Sequence, residues 1–201
     1  MVEPSSSRGS KACVSETQSP PGAGDVTGVL LVGGASTRFG SPKALARLGG
    51  ETLAERAWRI LGEAFGGRRL AVGKGDLELP FPAVVEPAEP RAPIAGVVAG
   101  LRAAATELAV FLPVDCPLVT PELLRELGAA RAVTPTGPLP GAYAETDLPE
   151  LERRLAAGDY TLRGVNPRVL DVDPLLLANV NTPADLSALE EHLAALDEER
   201  P

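Results

Sequence analysis

The chain is poor in the residues that build disulfide frameworks, metal centres and catalytic triads. Its 201 residues include two cysteines and one histidine, and aromatic residues make up only 3% of the total. Cys13 and Cys116 do not form a disulfide framework or a metal-ligand spacing. The lone histidine, His192, lies between a glutamate and a leucine in an acidic stretch and is expected on the surface. The sequence therefore predicts neither a cysteine-based metal site nor a histidine-based triad.

An excess of positive charge is also lacking. The chain has 19 Lys and Arg against 27 Asp and Glu, a net charge of −8, which argues against a nucleic-acid surface. No apolar run approaches the roughly 18 residues of a membrane span, and the N-terminal segment has no hydrophobic stretch typical of a signal peptide. We therefore expect a cytoplasmic protein with no membrane or nucleic-acid partner, in which any anionic ligand is met by local basic residues.

The order of apolar segments predicts the domain organisation. Residues 1–25 are rich in Ser, Pro and Gly without an apolar period, and we expect a disordered tail. Residues 26–195 form the predicted domain, and residues 196–201 a C-terminal tail. Strand-like and helix-like segments alternate through the domain, which predicts a three-layer α/β/α, Rossmann-like fold with a mainly parallel sheet. The expected strands lie at 29–32, 70–72, 83–85, 108–112, 141–144 and 169–172.

The most informative segment is GGASTRFGSPK at residues 33–43, directly after the first apolar strand. Gly33 and Gly34 let backbone N–H groups approach an anion, while Arg38 and Lys43 supply positive charge suited to phosphate oxygens. The spacing fits neither the Walker loop, which needs Gly-Lys followed by Ser or Thr, nor the G-x-G-x-x-G dinucleotide fingerprint. The segment predicts a different loop for a nucleoside triphosphate.

A second motif places one carboxylate at the end of an apolar strand. Asp115 follows residues 108–112 and lies between Pro113 and Pro117, which stiffen the backbone. Magnesium typically takes one or two carboxylates together with phosphates and waters. Asp115 is therefore the candidate metal ligand.

The two motifs, followed by Asn-Val-Asn-Thr-Pro at residues 179–183, resemble the molybdenum cofactor guanylyltransferase family, whose loop reads G-G-x-x-x-R-x-G-x-x-K. The resemblance covers residues 26–193 and implies the fold of nucleotide-diphospho-sugar transferases. The first two motifs are shared with sugar, terpenoid and cytidylyl nucleotidyltransferases, whereas the asparagine segment is more discriminating.

The resemblance also implies roles for single residues. Lys43 would contact the phosphates with Arg38, and Asp115 would contact both the nucleotide and Mg²⁺, which makes these three the candidate catalytic residues. Asn179 and Asn181 would lie near the acceptor, or would instead form the turn before the last helix. The remaining candidate nucleotide contacts are Leu31, Val32, Gly33, Gly34 and Gly96.

The activity implied is transfer of GMP from Mg-GTP to the terminal phosphate of molybdopterin, with release of pyrophosphate and delivery of the product to molybdoenzymes or cofactor-delivery proteins. Three departures affect the choice of base: Val85-Glu86-Pro87 stands where the family has an aspartate, Gly73 where it often has asparagine, and Ala92 where it often has glycine. Glu86 is a candidate replacement for that aspartate. The alternatives are cytidylyl transfer to molybdopterin, nucleotidyl transfer to a sugar phosphate, and a non-catalytic nucleotide-binding adaptor.

Overall fold

A computed structural model describes residues 26–33 and 42–198 of the chain. The predicted tail at 1–25 and the end of the predicted C-terminal tail, 199–201, lie outside the described residues. The last helix continues to Glu198, beyond the predicted domain boundary at 195.

A six-stranded sheet forms the centre of the molecule, in the order β5-β4-β1-β6-β8-β7. Strand β1 pairs in parallel with β4 and β6, β4 pairs in parallel with β5, and β8 runs antiparallel to β6 and β7. Two further short strands, β2 and β3, form a separate antiparallel hairpin. The strands are β1 (Val26–Leu31), β2 (Arg47–Leu48), β3 (Glu51–Thr52), β4 (Arg69–Gly73), β5 (Ala83–Val85), β6 (Leu108–Pro113), β7 (Val133–Thr134) and β8 (Gly137–Ala144).

Helices cover both faces of the sheet and complete the predicted three-layer fold. Apolar residues of α1, α3 and α5 join one buried cluster, and those of α2 and α4 join a second cluster on the opposite face. Strand β1 is buried along its whole length, as a parallel strand covered on both faces should be. The helices are α1 (Leu53–Phe65), α2 (Pro93–Ala103), α3 (Pro121–Ala130), α4 (Leu148–Ala156) and α5 (Pro183–Glu198).

Local sequence determines where these helices begin. The Thr52 hydroxyl accepts the backbone N–H of Glu55, whose carboxylate accepts the backbone N–H of Thr52, so α1 opens with a reciprocal capping box. Thr120 caps α3 in front of a proline at the first helical position, as its sequence predicts. At α5 the Thr182 hydroxyl accepts the backbone N–H of Asp185, and Pro183 is the first helical residue.

The prediction of a strand at 169–172 is wrong. Val169 forms only an isolated bridge to Val133 and is 57% exposed. The reason lies in its neighbour, because β7 is two residues long at the edge of the sheet and offers no ladder to extend. The sequence analysis also missed β7 itself and the β2–β3 hairpin, which are too short to show a period-2 pattern.

The strand order reverses between β1 and β6. The chain passes from β1 to β4 and β5 on one side, then returns to β6 on the other side of β1. Leu31 and Pro113 are partners at the carboxyl ends of these two strands, and the backbone N–H of Val114 donates to the carbonyl of Leu31 at 3.1 Å. Such a reversal opens a crevice at the carboxyl ends of the strands, where ligands of open α/β sheets bind.

None of the helices among residues 26–33 and 42–198 combines the length and apolar character that a membrane crossing needs.

Candidate functional site

A cavity of about 350 Å³ lies at the carboxyl ends of β1, β4 and β5, against the start of α2. Five of the predicted nucleotide contacts line it. These are Leu31, Val32, Gly33, Lys43 and Gly96. The other wall residues include Lys74, Asp76, Glu86 and Arg91. The volume lies within the range of small-molecule sites.

Lys43 joins this cavity to the predicted metal ligand. It begins a short 3₁₀ helix, Lys43–Leu45, immediately after Pro42. Its ammonium Nζ donates to Asp115 Oδ2 at 3.1 Å and to Asn181 Oδ1 at 3.0 Å, with the Lys43 and Asp115 side chains 16% and 26% exposed. We refer to Lys43, Asp115 and Asn181 as the Lys43 cluster. The structure thus brings to Lys43 two residues that lie 72 and 138 positions away from it in sequence.

The backbone around residues 179–183 holds the asparagines in place. The N–H of Val180, a buried residue, donates to the carbonyl of Asp115 at 2.9 Å. Asp185 accepts the backbone N–H groups of Asn181 and Thr182, and the Thr182 hydroxyl accepts the N–H of Asp185. Asp185 and Thr182 therefore cap the N-terminus of α5. The side chain of Asn181 is therefore left to contact Lys43 rather than to close the turn.

Asn179 contacts a buried thiol beside Asp115. Cys116 Sγ donates to Asn179 Oδ1 at 3.0 Å. Burial, with a smaller contribution from the Asp115 charge, raises the pKa of the Cys116 thiol well above its ordinary value. A raised pKa disfavours the thiolate, and the thiol contact contributes to the position of the Asn179 amide beside Asp115.

At the other end of the cavity, Glu86 and Lys74 form a buried charged pair, the Glu86 pair. Their side chains are 6% and 10% exposed, and Glu86 Oε1 lies 3.5 Å from Lys74 Nζ. The second carboxylate oxygen, Oε2, is buried and has no hydrogen-bond partner among the residues that the structure describes. Burial raises the pKa of Glu86, and the charge of Lys74 opposes that shift. A buried acceptor without a partner costs about 1–3 kcal/mol, so this position is energetically unfavourable in the free protein.

Two predicted glycines lie against this carboxylate. A Cβ on Gly33 would be 2.6 Å from Glu86 Oε1, and one on Gly96 would be 3.5 Å from Oε2. The close approach of backbone to carboxylate therefore requires glycine at position 33. Glu86 was expected only as a replacement for an aspartate, and Lys74 was not predicted, although it directly follows β4 as Asp115 follows β6 at a short distance.

Two predicted site residues, Gly34 and Arg38, lie outside the described residues. The remaining ones fall in one region, because Lys43 both lines the cavity and contacts Asp115.

Comparison with known proteins places this chain in a family. Residues 28–167 match the model of the MobA-like NTP transferase domain. The chain belongs to that family. A "probable molybdenum cofactor guanylyltransferase" of Deinococcus radiodurans is 35% identical over 182 residues, covering 82% of this chain and 93% of that protein. Membership of this family makes the chain a nucleotidyltransferase, as its loop and carboxylate predict.

Solved structures agree on the fold of this MobA-like domain. Molybdopterin-guanine dinucleotide biosynthesis protein A from Archaeoglobus fulgidus superposes with a TM-score of 0.70 at 24% identity, covering 84% of this chain and 99% of that one. Rv0371c from Mycobacterium tuberculosis, in a complex with manganese, superposes with a TM-score of 0.57 at 22% identity, over 83% and 98% of the two chains.

The donor chemistry of the MobA-like site suits a hard divalent cation carried by a nucleotide. Within the described parts of the chain, no group of three or more His, Cys, Asp or Glu side chains is arranged to hold a metal ion by itself. Asp115 instead offers one partly exposed carboxylate. The amide oxygen of Asn181 lies near it, because both oxygens accept from the ammonium of Lys43. Magnesium bound by one carboxylate together with phosphates and waters needs no more from the protein.

Proposed function

We propose that this MobA-like domain transfers GMP from GTP to the terminal phosphate of molybdopterin. The observation that carries the proposal is the Lys43 cluster, which places an ammonium, a carboxylate and an amide at the carboxyl ends of β1 and β6 beside the cavity. The relative in Deinococcus radiodurans is named for guanylyl transfer in molybdenum cofactor synthesis, which supports the choice of nucleotide and acceptor.

The reaction forms one bond and breaks one. An oxygen of the acceptor phosphate attacks the α-phosphorus of GTP, the bond from that phosphorus to the α,β-bridging oxygen breaks, and pyrophosphate leaves with the electron pair. The acceptor phosphate is already an anion at neutral pH, so the protein need not remove a proton. The site must instead align the two phosphates and neutralise their charge.

The residues of the Lys43 cluster divide these tasks. Lys43 would move from Asp115 to the triphosphate, where its mobile ammonium neutralises charge on the leaving group, and Arg38 of the same loop would assist. Asp115 would then hold Mg²⁺. When bound, Mg²⁺ screens the repulsion between donor and acceptor phosphates. Asn179 and Asn181 would contact the acceptor through their amides.

Nucleotide contacts would come from Leu31, Val32, Gly33, Gly34 and Gly96. The ring of the nucleoside would occupy the cavity between the end of β1 and the start of α2, which is lined by Leu31, Val32, Gly33 and Gly96. The product, the guanine dinucleotide form of the cofactor, would pass to molybdoenzymes or to a protein that delivers cofactor. The cytoplasmic location expected from the sequence stays a prediction.

Pyrophosphate release tests the proposal. The protein is incubated with Mg²⁺, molybdopterin and each NTP in turn, and the dinucleotide product is identified by mass. We expect pyrophosphate with GTP only, and only when molybdopterin and Mg²⁺ are both present. Release with CTP would indicate the cytidylyl reaction, and release with a sugar phosphate as acceptor would indicate the sugar-nucleotide reaction. Binding of GTP with no pyrophosphate under any condition would indicate an adaptor.

A further inference from the structure

The Lys43 cluster depends on two segments that are far apart in the chain. Lys43 lies in the 3₁₀ helix that leads into the β2–β3 hairpin, and Asp115 lies in the loop that follows β6. The ion pair between them is partly exposed, and in the reaction proposed above it breaks when Lys43 turns to the triphosphate. A partly exposed pair is a weak constraint, so the alignment of the two segments during catalysis must come from other contacts.

Arg56 of α1 contacts both segments. Its Nε donates to the carbonyl of Pro117 at 2.8 Å, in the loop that carries Asp115, and its Nη1 donates to Glu51 Oε1 at 3.2 Å, at the start of β3. Pro117 is buried, so its carbonyl needs a partner, which Arg56 supplies. The Arg56 and Glu51 side chains are only 22% and 28% exposed. The rigid, planar guanidinium therefore joins the hairpin that follows Lys43 to the Asp115 loop.

The Asp115 loop is held on both sides of the carboxylate. Before the carboxylate, the N–H of Val114 donates to the carbonyl of Leu31 at 3.1 Å. After it, Arg56 holds the carbonyl of Pro117. Loss of the Arg56 contact would leave the loop fixed at its start and released at its end, and the carboxylate lies between these two points.

The hairpin carries the other end of this link to Lys43. Ala46 directly follows the 3₁₀ helix, and its carbonyl accepts the N–H of Leu53 at 2.8 Å, which closes the hairpin against the start of α1. The bond from Arg56 to Glu51 holds the far strand of the same hairpin against α1. The segment of Lys43 and the loop of Asp115 are thus both referred to one helix.

Resting on the function proposed above, we infer that Arg56 is a positioning residue for the transfer reaction. It holds the Asp115 loop in register with the segment of Lys43, so that the carboxylate stays in place for Mg²⁺ when the ammonium moves to the triphosphate. Arg56 itself binds a backbone carbonyl and a glutamate, and its effect on the reaction passes through Asp115.

Arg59 provides a matched control on the same helix. Its guanidinium donates to the same Glu51, with Nη2 to Oε1 at 2.7 Å and Nε to Oε2 at 3.3 Å, and to Glu63 at 2.9 Å. Lysine has a methylene where arginine has Nε. Arg56→Lys therefore keeps the charge near Glu51 but loses the donor to Pro117, whereas Arg59→Lys makes the same chemical change without touching the Asp115 loop.

Hydrogen exchange tests the link in the full chain without metal or nucleotide. Two amides of the loop report on it, because the N–H of Cys116 donates to Pro113 at 3.3 Å and the N–H of Val119 donates to Cys116 at 3.4 Å. Arg56→Lys should speed exchange of both amides about 5- to 10-fold, as expected for the loss of one charge-assisted hydrogen bond that restrains the loop. Arg59→Lys should leave them within about 2-fold of wild type. Wild-type exchange in Arg56→Lys, or equally fast exchange in both variants, would overturn the inference.

The Mg²⁺ dependence of pyrophosphate release tests the consequence for the reaction. Arg56→Lys should raise the half-saturating Mg²⁺ concentration about 5- to 10-fold, and Arg59→Lys should leave it within about 2-fold of wild type. In the background of Asp115→Asn, adding Arg56→Lys should cost little further turnover, because the two substitutions act on the same group. The same fractional loss in both backgrounds would show that Arg56 does not act through Asp115 and would refute the positioning role.

These outcomes differ from failure of the proposed function. Wild type that releases no pyrophosphate from GTP with Mg²⁺ and molybdopterin would contradict guanylyl transfer itself. Normal guanylyl transfer by wild type, with Arg56→Lys and Arg59→Lys indistinguishable, would contradict only the inference about Arg56.

Discussion

The two ends of the cavity treat charge in opposite ways. In the Lys43 cluster, opposite charges meet at the partly exposed ends of two strands, and each has a partner in the free protein. In the Glu86 pair, Glu86 is buried, Lys74 is largely buried, and one carboxylate oxygen has no partner among residues 26–33 and 42–198. The first arrangement suits groups that must exchange partners when phosphates and a metal arrive. The second holds an ammonium and a carboxylate at fixed positions in the wall of the cavity.

The largest expected effect comes from removing the carboxylate of the Lys43 cluster. Asp115→Asn keeps the shape of the side chain but removes the charge that would hold Mg²⁺, and turnover should fall by about 10²- to 10⁴-fold. The fold should survive, because Asp115 is partly exposed and Lys43 keeps Asn181 as a partner. The measurement is pyrophosphate release over a range of Mg²⁺ concentrations. Full activity of the variant at limiting Mg²⁺ would mean that the metal is held elsewhere.

Removing the ammonium of the same cluster should have a smaller effect. Lys43→Ala should weaken GTP binding by about 10- to 100-fold through the loss of a charge-assisted contact to phosphate. Lys43→Arg should restore little, because a planar guanidinium does not replace a compact ammonium between Asp115 and Asn181. GTP affinity is measured by calorimetry. Equal affinity in wild type and Lys43→Ala would show that Lys43 does not bind the triphosphate.

A stability measurement sharpens the contrast at the Glu86 pair. Burial raises the pKa of Glu86 from 4.5, so the folded protein holds this proton more tightly than the unfolded chain does. Ionised Glu86 therefore lowers the stability of the fold. This loss is absent at a pH below the pKa of Glu86 in the unfolded chain, and it grows as the pH rises toward the pKa in the folded protein. Without nucleotide, the free energy of unfolding of Glu86→Gln should therefore match that of wild type near pH 4 and exceed it at neutral pH. Denaturant titrations at several pH values measure this difference, and a variant that is less stable than wild type at neutral pH would contradict it.

The smallest effect on activity is expected from a substitution outside both the Lys43 cluster and the Glu86 pair. Thr52→Ala removes the capping box of α1 and should lower the free energy of unfolding by about 1 kcal/mol. The turnover at saturating substrate and Mg²⁺ should remain that of wild type well below the melting temperature. A lowered turnover would show that stability alone perturbs catalysis, and Thr52→Ala thus serves as the stability control for the site variants.

The sequence predicted the Lys43 cluster better than the Glu86 pair, for a physical reason. Lys43 and Asp115 each follow a long apolar strand, and parallel strands bring their carboxyl ends to one edge of the sheet. The alternation of strand-like and helix-like segments likewise predicted the three-layer fold. It failed at residues 169–172, because an apolar run pairs only as far as its two-residue neighbour extends.

Burial of charge could not be predicted in the same way. Glu86 follows a strand of three residues in a segment rich in proline, where a charged side chain ordinarily points to solvent. Its burial depends on Lys74 from another strand end and on the missing side chain of Gly33, and neither contact leaves a local pattern in the sequence. Lys74 was missed for the same reason.

The most direct test of this division of labour is the Mg²⁺ concentration that gives half-maximal pyrophosphate release, with GTP and molybdopterin, in wild type, Asp115→Asn and Glu86→Gln. Asp115→Asn should raise this concentration at least about 10-fold, because the charge that would hold the metal is lost. Glu86→Gln should leave it within about 2-fold of wild type, because Glu86 pairs with Lys74 and lies outside the Lys43 cluster. A Mg²⁺ requirement raised by Glu86→Gln and untouched by Asp115→Asn would contradict the account.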